Sequence, residues 1–355
     1  GRDPPIDDGD DGGDGGSGGG TRAFNPRAWA ERFRSADRSR FELVEPHGGG
    51  QWCEALGGDE LIELDSRRLR CGYGCGYIGG RFQEPPLRVN ITSHEFTRSP
   101  SYSKTLWGAR LYEIEDSLFA HCWGHDFGDR SEHLFYLNPR GSFDVEHVLA
   151  ERIGGQLLQC ANREEPGSNR DIPDRGENSP VNGGQINVRR FAAIDCGMNE
   201  GRGSFPLSFK NVGRPGRVFD ILVEDGLIQG RFAPQLRSGR MISSTGGILV
   251  NGFGKSEWHN GEVVIRGVEI DLTRTSHPAL QISNCRSVLI EHCRIVCQDG
   301  VYPDVLFDRD DLPGYDGAKP SGSIRLRDCG GHVGVRYRGR RVGTVEDDRE
   351  LGEGA

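Results

Sequence analysis

The chain has 355 residues, with 53 Asp plus Glu against 44 Lys plus Arg and a formal net charge of -9. That balance argues against a general nucleic-acid binder, whose phosphate affinity needs a basic surface, and no apolar run approaches the ~20 residues that cross a bilayer. Gly is heavily used, at 54 residues, which suits many turns, while 10 Cys are too few for a disulfide scaffold at this length.

Residues 1–20 are almost entirely Gly, Asp, Pro and Ser. With nothing to bury, they read as a flexible acidic linker, to which an upstream domain could be fused. Residues 21–105 read as an N-terminal cap and first coils. In Pro26 to Phe33, Trp29 and Phe33 stand four apart on one face of a short amphipathic helix, placed to cap the end of the stacked coils. Glu60 to Leu64 and Arg88 to Thr92 read as short strands. Cys71 and Cys75 lack a second ligand pair at zinc spacing, leaving a local disulfide or two free thiols.

One phrase then returns along the chain: apolar, any, apolar, any, Asn or Asp. Its copies are Leu134-Phe-Tyr136-Leu-Asn138, Leu158-Gln-Cys160-Ala-Asn162, Leu207-Ser-Phe209-Lys-Asn211, Gly247-Ile-Leu249-Val-Asn251, Leu280-Gln-Ile282-Ser-Asn284 and Ile324-Arg-Leu326-Arg-Asp328. Period two marks strands with one buried face. Asn and Asp tolerate the left-handed backbone of a tight turn, so stacked copies predict one polar ladder from Asn138 to Asp328. A second phrase puts Ile114, Val145, Val188, Val223, Ile265 and Ile290 inward and Glu115, Glu146, Arg189, Glu224, Arg266 and Glu291 outward. Opposite charges there can stack, whereas Glu115 beside Glu146 would repel. A third short strand follows in several coils, as at Leu118 to His121 and Arg294 to Cys297. Cys285 and Cys329 fall at matching places and are expected on neighbouring coils, as a disulfide or a buried thiol stack.

Three short strands per coil, with no helix-length periodic segment, predict an all-β, right-handed parallel β-helix over 106–337, followed by a polar tail at 338–355. A β-sandwich would need hairpin turns and antiparallel alternation.

The run from Leu280 to Val296 resembles the coil repeat of the pectate-lyase-like β-helix superfamily, over roughly two thirds of the chain, through residues that form coils rather than sites. That superfamily includes polysaccharide-active enzymes, phage tailspikes and adhesins. The resemblance implies that substrate lies across the outer side of the first strand and the loop leading into it. On the predicted phase, the outward residues include His133, Phe135, Gln159, Ser208, Lys210, Gln281, Ser283, Arg325 and Arg327, with Tyr136 inward. Phe135, Gln159, Ser208, Gln281, Arg325 and Arg327, together with Trp258 in a turn loop, are the candidates for binding sugar hydroxyls or uronate carboxylates. A solvated sheet face accounts for the same polar residues.

The loop from Gly124 into His133 concentrates acid, base and cation, so His133, His125, Asp126 and Lys210 are the candidate catalytic groups. In a lyase, a neutral His or deprotonated Lys takes the proton beside a uronate carboxylate while a cation stabilises the enolate-like charge. A glycosidase needs two carboxylates facing across ~5 Å or ~6.5–9.5 Å. Asp304, Asp308, Asp310 and Asp311 offer oxygen ligands for Ca2+, though a solvated acidic loop explains them too; no other cofactor is expected.

The resulting expectation is an extracellular, cell-surface or virion-associated β-helix that binds a surface polysaccharide and could depolymerise it. The alternative is a non-enzymatic structural or adhesive β-helix, such as a tail fibre, tailspike stalk or cell-surface repeat protein. A glycan is the expected partner, without nucleic acid or membrane insertion, and a homotrimer or fused upstream domain is the expected assembly.

Overall fold

The computed structural model describes residues 24–46, 52–80, 85–102, 105–128, 133–162, 181–199, 202–203, 205–230, 246–252, 254–273, 277–298, 303–308, 318–338, 340–344 and 349–351. The linker 1–20 and the calcium candidates Asp310 and Asp311 lie outside the described residues. The strands form two large sheets, and the chain passes from one to the other turn after turn. Neighbouring turns pair parallel. Among the described residues, antiparallel pairing is confined to the C-terminal end, a two-residue hairpin, Met198–Asn199 with Arg202–Gly203, and an isolated bridge between Arg214 and Arg217. This all-β architecture with two parallel sheets is consistent with a parallel β-helix and unlike the antiparallel layers of a sandwich.

The expected second and third strands of a coil are, in most turns, one long strand of the first sheet that bends at a left-handed residue near its middle, and Phe143–Ile153 carries a second such residue, Arg152. Examples are Phe143–Ile153, Gly184–Ile194 and Phe219–Gly230. The bends stack in register as Ser66, Ser93, His121, His147, Arg190, Asp225, Gly267, His292 and Asp328, with φ from 46° to 61°. Side chains before and after each bend therefore both turn inward. Leu64, Ile91, Phe119, Val145, Val188, Val223, Ile265, Ile290 and Leu326 form one interior column, all of them buried.

Several expectations are corrected by this register. Ile114 ends a strand of the second sheet, Trp107–Ile114, and Phe119 takes the expected inward place in that turn. Glu115 is consequently not a neighbour of Glu146 and contacts Asn182 instead, at 3.2 Å. Ile324 to Asp328 is not a copy of the first strand: Ser323–Arg327 pairs with Cys285–Glu291 in the first sheet. Arg325 and Arg327 therefore stand apart from the second sheet, where substrate binding was expected for them. The move completes a charge ladder of Glu146, Arg189, Glu224, Arg266, Glu291 and Arg327, aligned turn by turn with alternating sign. Glu224 lies 2.7 Å from Arg266 and 3.5 Å from Arg189. These half-exposed pairs contribute modestly one by one but penalise any slip of register.

The single Asn ladder also divides. Register aligns Phe209 with Val250 and Lys210 with Asn251, and Leu137 with Cys160. Asn138 and Asn251 are thus offset by one place from Asn162 and Asn211. Cys329 meets Cys293 rather than Cys285, because Arg294 pairs with Gly330 and sets the two cysteines side by side on neighbouring turns. Cys71 and Cys75, like the other cysteines, are free.

The helix Pro26–Ser35 forms as expected, with Pro26 in its first turn and Asn25 capping the Ala28 N–H at 3.1 Å. It does not cap an end. Trp29, Ala30 and Phe33 pack on Leu149, Ala192 and Leu227, across the outside of the first sheet. Arg34 reaches Glu151 at 2.7 Å, Arg27 reaches Glu269 at 2.8 Å, and the Arg38 guanidinium sits 4.8 Å from both the Phe33 and Trp123 rings.

A left-handed corner costs an ordinary L-residue ~1–2 kcal/mol and a β-branched one more. Asp225→Val should therefore lower stability by ~1–3 kcal/mol, whereas Asp225→Gly should stay within ~1 kcal/mol of the parent. Urea unfolding followed by circular dichroism measures both.

Candidate functional site

The second sheet presents its outer face through short strands, and two of them, Trp107–Ile114 and His133–Pro139, set its chemistry. Register pairs Ala109 with Phe135, Arg110 with Tyr136, Leu111 with Leu137 and Tyr112 with Asn138. Phe135 was expected to face a ligand, but it is fully buried, 5.1 Å from the Phe119 ring and 6.0 Å from Phe96. Tyr136, expected inward, faces out. The cause is local. Leu134 and Phe135 both turn inward because Gly108 and Gly124 leave room for Leu134; a Cβ on Gly124 would lie 2.5 Å from a Leu134 methyl. The strand's phase slips by one after that pair.

The outward side chains form a compact cluster. The Arg110 guanidinium lies 4.3 Å from the Trp107 ring, 5.2 Å from Tyr112 and 5.5 Å from Tyr136. Tyr136 meets Trp107 edge-on at 6.1 Å and His133 at 5.8 Å. Several buried polar atoms around it make no hydrogen bond within the protein: Trp107 Nε1, Arg110 Nε, Asn138 Oδ1, Gln156 Oε1 and Ser208 Oγ. Leaving such a group unsatisfied costs ~1–3 kcal/mol, so their concentration on one face needs an explanation.

From this cluster one outward column continues across the turns: Arg110, Tyr136, Gln159, Ser208, Leu249, Gln281, Leu306 and Arg336. Gln159, Ser208 and Gln281 are thus brought into line about 4.8 Å apart per turn. Lys210 stands in the adjacent column, between Ala161 and Asn251. Trp107, Arg110 and Tyr112 were missed by sequence reasoning; the signal was their alternation with Ala109 and Leu111, obscured by Gly108.

His133 is buried, and its Nδ1 accepts the Gln156 N–H at 3.2 Å. Burial, with Lys210 and Arg110 adding positive charge nearby, drives its pKa down to about 3. It is a neutral imidazole at physiological pH.

The other candidate groups lie elsewhere. His125 and Asp126 belong to the first sheet, in Trp123–Gly128. Asp126 is a left-handed corner residue whose carboxylate binds Arg152 Nε at 2.6 Å and His125 Nδ1 at 2.8 Å. The Arg152 hydrogen bond is the main cause that lowers its pKa to about 2. Burial works to lower the His125 pKa, but hydrogen bonds to Glu95 and Asp126 outweigh it and raise the value. This network ties neighbouring turns together, on a different sheet from His133. Trp258 donates from Nε1 to the Pro320 carbonyl at 2.9 Å, and Lys319 Nζ stands 3.7 Å from its ring, so both its edge and one face meet its own chain.

Asp304 accepts the Gly334 N–H at 2.7 Å, while Asp308 accepts N–H groups from Asn284 at 3.1 Å and Ser321 at 3.0 Å. Burial raises the pKa of both. Their oxygens serve backbone donors, and no group of three or more His, Cys, Asp or Glu among the described residues is placed to hold a metal ion.

No protein-family model, curated protein or solved structure matches the chain. No helix among the described residues is long and apolar enough to cross a membrane.

A histidine with a depressed folded pKa is protonated first in the unfolded state, so its effect on stability appears below the unfolded value of ~6.5. Stability should fall as pH drops from ~6.5 towards ~4, with His94, at about 4, acting in the same direction. His133→Gln should flatten that slope by up to ~1.4 kcal/mol per pH unit. Urea unfolding at a series of pH values tests this, and an unchanged slope would place the proton uptake at other groups.

Proposed function

We propose that this chain is a right-handed parallel β-helix of the pectate-lyase-like kind that binds an extended acidic polysaccharide along the outer face of its second sheet. The two halves of each bent strand, together with one strand of the second sheet, correspond to three strands per coil. The reading rests on one observation above all: an aromatic and cationic cluster, Trp107, Arg110, Tyr112 and Tyr136, set among buried polar atoms that have no partner in the protein. Sugar C–H faces stack on Trp107 and Tyr136. Hydroxyls pair with the half-buried amides of Asn138 and Gln159, and a carboxylate pairs with Arg110 and Lys210. The column through Gln159, Ser208 and Gln281 supplies the length that a linear polymer needs.

Binding is favoured over glycoside hydrolysis. Among the described residues in the two outward columns, from Arg110 to Arg336 and from Tyr112 to Asp308, Asp308 is the only carboxylate, and backbone N–H groups already occupy it. A second reading, depolymerisation by elimination, draws support from neutral His133 beside two cations. His133 would take the proton next to the uronate carboxylate, and Arg110 and Lys210 would stabilise the developing charge as the glycosidic oxygen leaves. We place the protein outside the cell or on a virion.

A panel of acidic and neutral polysaccharides, titrated calorimetrically, tests the binding reading. An acidic polymer should bind, and Tyr136→Ala and Arg110→Gln should each weaken it at least ~10-fold, ~1.4 kcal/mol, with the fold retained by circular dichroism; the Tyr136 variant, which empties a buried site, also melts earlier. Ultraviolet absorbance of unsaturated ends, abolished in His133→Gln, would add the lyase activity. Silence across the panel, or variants that bind like the parent, would leave a structural stalk as the better account.

A further inference from the structure

The two ends of the stack of turns are built differently. At the C-terminal end, Arg340–Thr344 and Arg349–Leu351 close the second and first sheets with strands that run antiparallel to their neighbours. At the N-terminal end, Glu42–Val44 begins the first sheet and Trp52–Leu56 the second, each paired on one side only among the described residues.

The same end collects the large apolar side chains left exposed among the described residues: Leu43 at 50%, Tyr73 at 44%, Trp52 at 43% and Leu61 at 41%. Leu43 and Trp52 stand on the edge strands themselves. Leu61 and Tyr73 flank Ile62–Cys71, the strand paired with Glu42–Val44. The acids there do not call for a basic partner, because Glu42 and Glu45 are held by Arg67 at 3.1 Å and Arg70 at 2.7 Å within the chain. Edges paired on one side only among the described residues, beside clustered exposed apolar side chains, mark an association site.

We propose that this end joins two copies of the chain head to head. A two-fold axis normal to the sheets sets Glu42–Val44 antiparallel to its counterpart and Trp52–Leu56 antiparallel to its own, so both sheets continue through the junction. The occupant is set by what the end demands. A partner must offer two edge strands at once, separated by the width of the stack, and a single extended peptide can cover only one. Pairing with the C-terminal end of another copy would build an open chain of molecules; the same end of a second copy is self-complementary and closes at two. The proposal is independent of the glycan reading, which concerns the outer face of later turns.

Light scattering on the full chain during size exclusion, over a range of concentrations, should give twice the chain mass. Leu43→Lys and Trp52→Glu should each return it to the chain mass with unchanged circular dichroism, since both side chains are exposed. In a Leu43→Cys variant, a short bismaleimide, which adds one thiol across each of its two double bonds, should yield a covalent dimer. His332→Cys at the opposite end, and the parent chain, should not. A single-chain mass at the highest soluble concentration, a dimer that survives both substitutions, or cross-linking through His332→Cys in place of Leu43→Cys would overturn the proposal.

Discussion

From Ser66 to Asp328, successive turns of the first sheet place a residue in the left-handed region at the same register, and the stacking of those corners sets the direction of the side chains on either side of them. Without the bend, a strand of the length of Phe219–Gly230 would run straight and its two halves could not both face one interior. With it, Val223 before the corner and Leu227 and Ile228 after it are all buried, Leu227 beneath the helix and Ile228 in the main core. The backbone strain is distributed along the stack and is offset by parallel hydrogen bonding along two sheets and a continuous apolar filling. The residues at the corner contribute among themselves as well: His121 and His147 stack at 4.8 Å, and His292 meets Asp328 at 3.4 Å.

A fixed corner also separates two kinds of surface. Outside the first sheet, charges alternate turn by turn from Glu146 to Arg327, and Asp126 with Arg152 makes a second clamp near the strand ends. Glu224 with Arg189 and Arg266, and Asp126 with Arg152, satisfy one another. Outside the second sheet, polar atoms are buried without partners, and the outward column carries leucines at 249 and 306 beside amides and a hydroxyl. One face thus spends its polarity on holding turns together, while the other keeps donors and acceptors uncommitted. That asymmetry, more than any single side chain, directs attention to the second sheet.

The repeat was legible wherever apolar residues alternated with polar ones, as at Leu158 to Asn162 or Val223 to Asp225, because period two has one burial solution. It failed where the pattern was degenerate. Leu134-Phe135-Tyr136-Leu137 is apolar on both phases, so the face shown by Phe135 and Tyr136 depended on space beside Gly108 and Gly124 in other turns. Ile324 to Asp328 satisfied the phrase of one sheet and the register of the other. The corner ladder was hidden altogether, since Ser, His, Arg, Asp and Gly share its backbone state without sharing a side-chain type. The aromatic and cationic cluster escaped notice because its members come from two strands that meet only through register.

The helix laid across the outside of the first sheet has a mechanical consequence. Stacked turns ordinarily contact only their neighbours, so such molecules can fray and reseal from either end, turn by turn. Here Arg27 holds Glu269, 242 positions away in the chain, while Trp29 and Phe33 rest on turns in between. The N-terminal segment acts as a buckle over the middle of the stack. It can fasten only after those turns exist, which makes it a late event in folding, and once fastened it couples turns that would otherwise open separately.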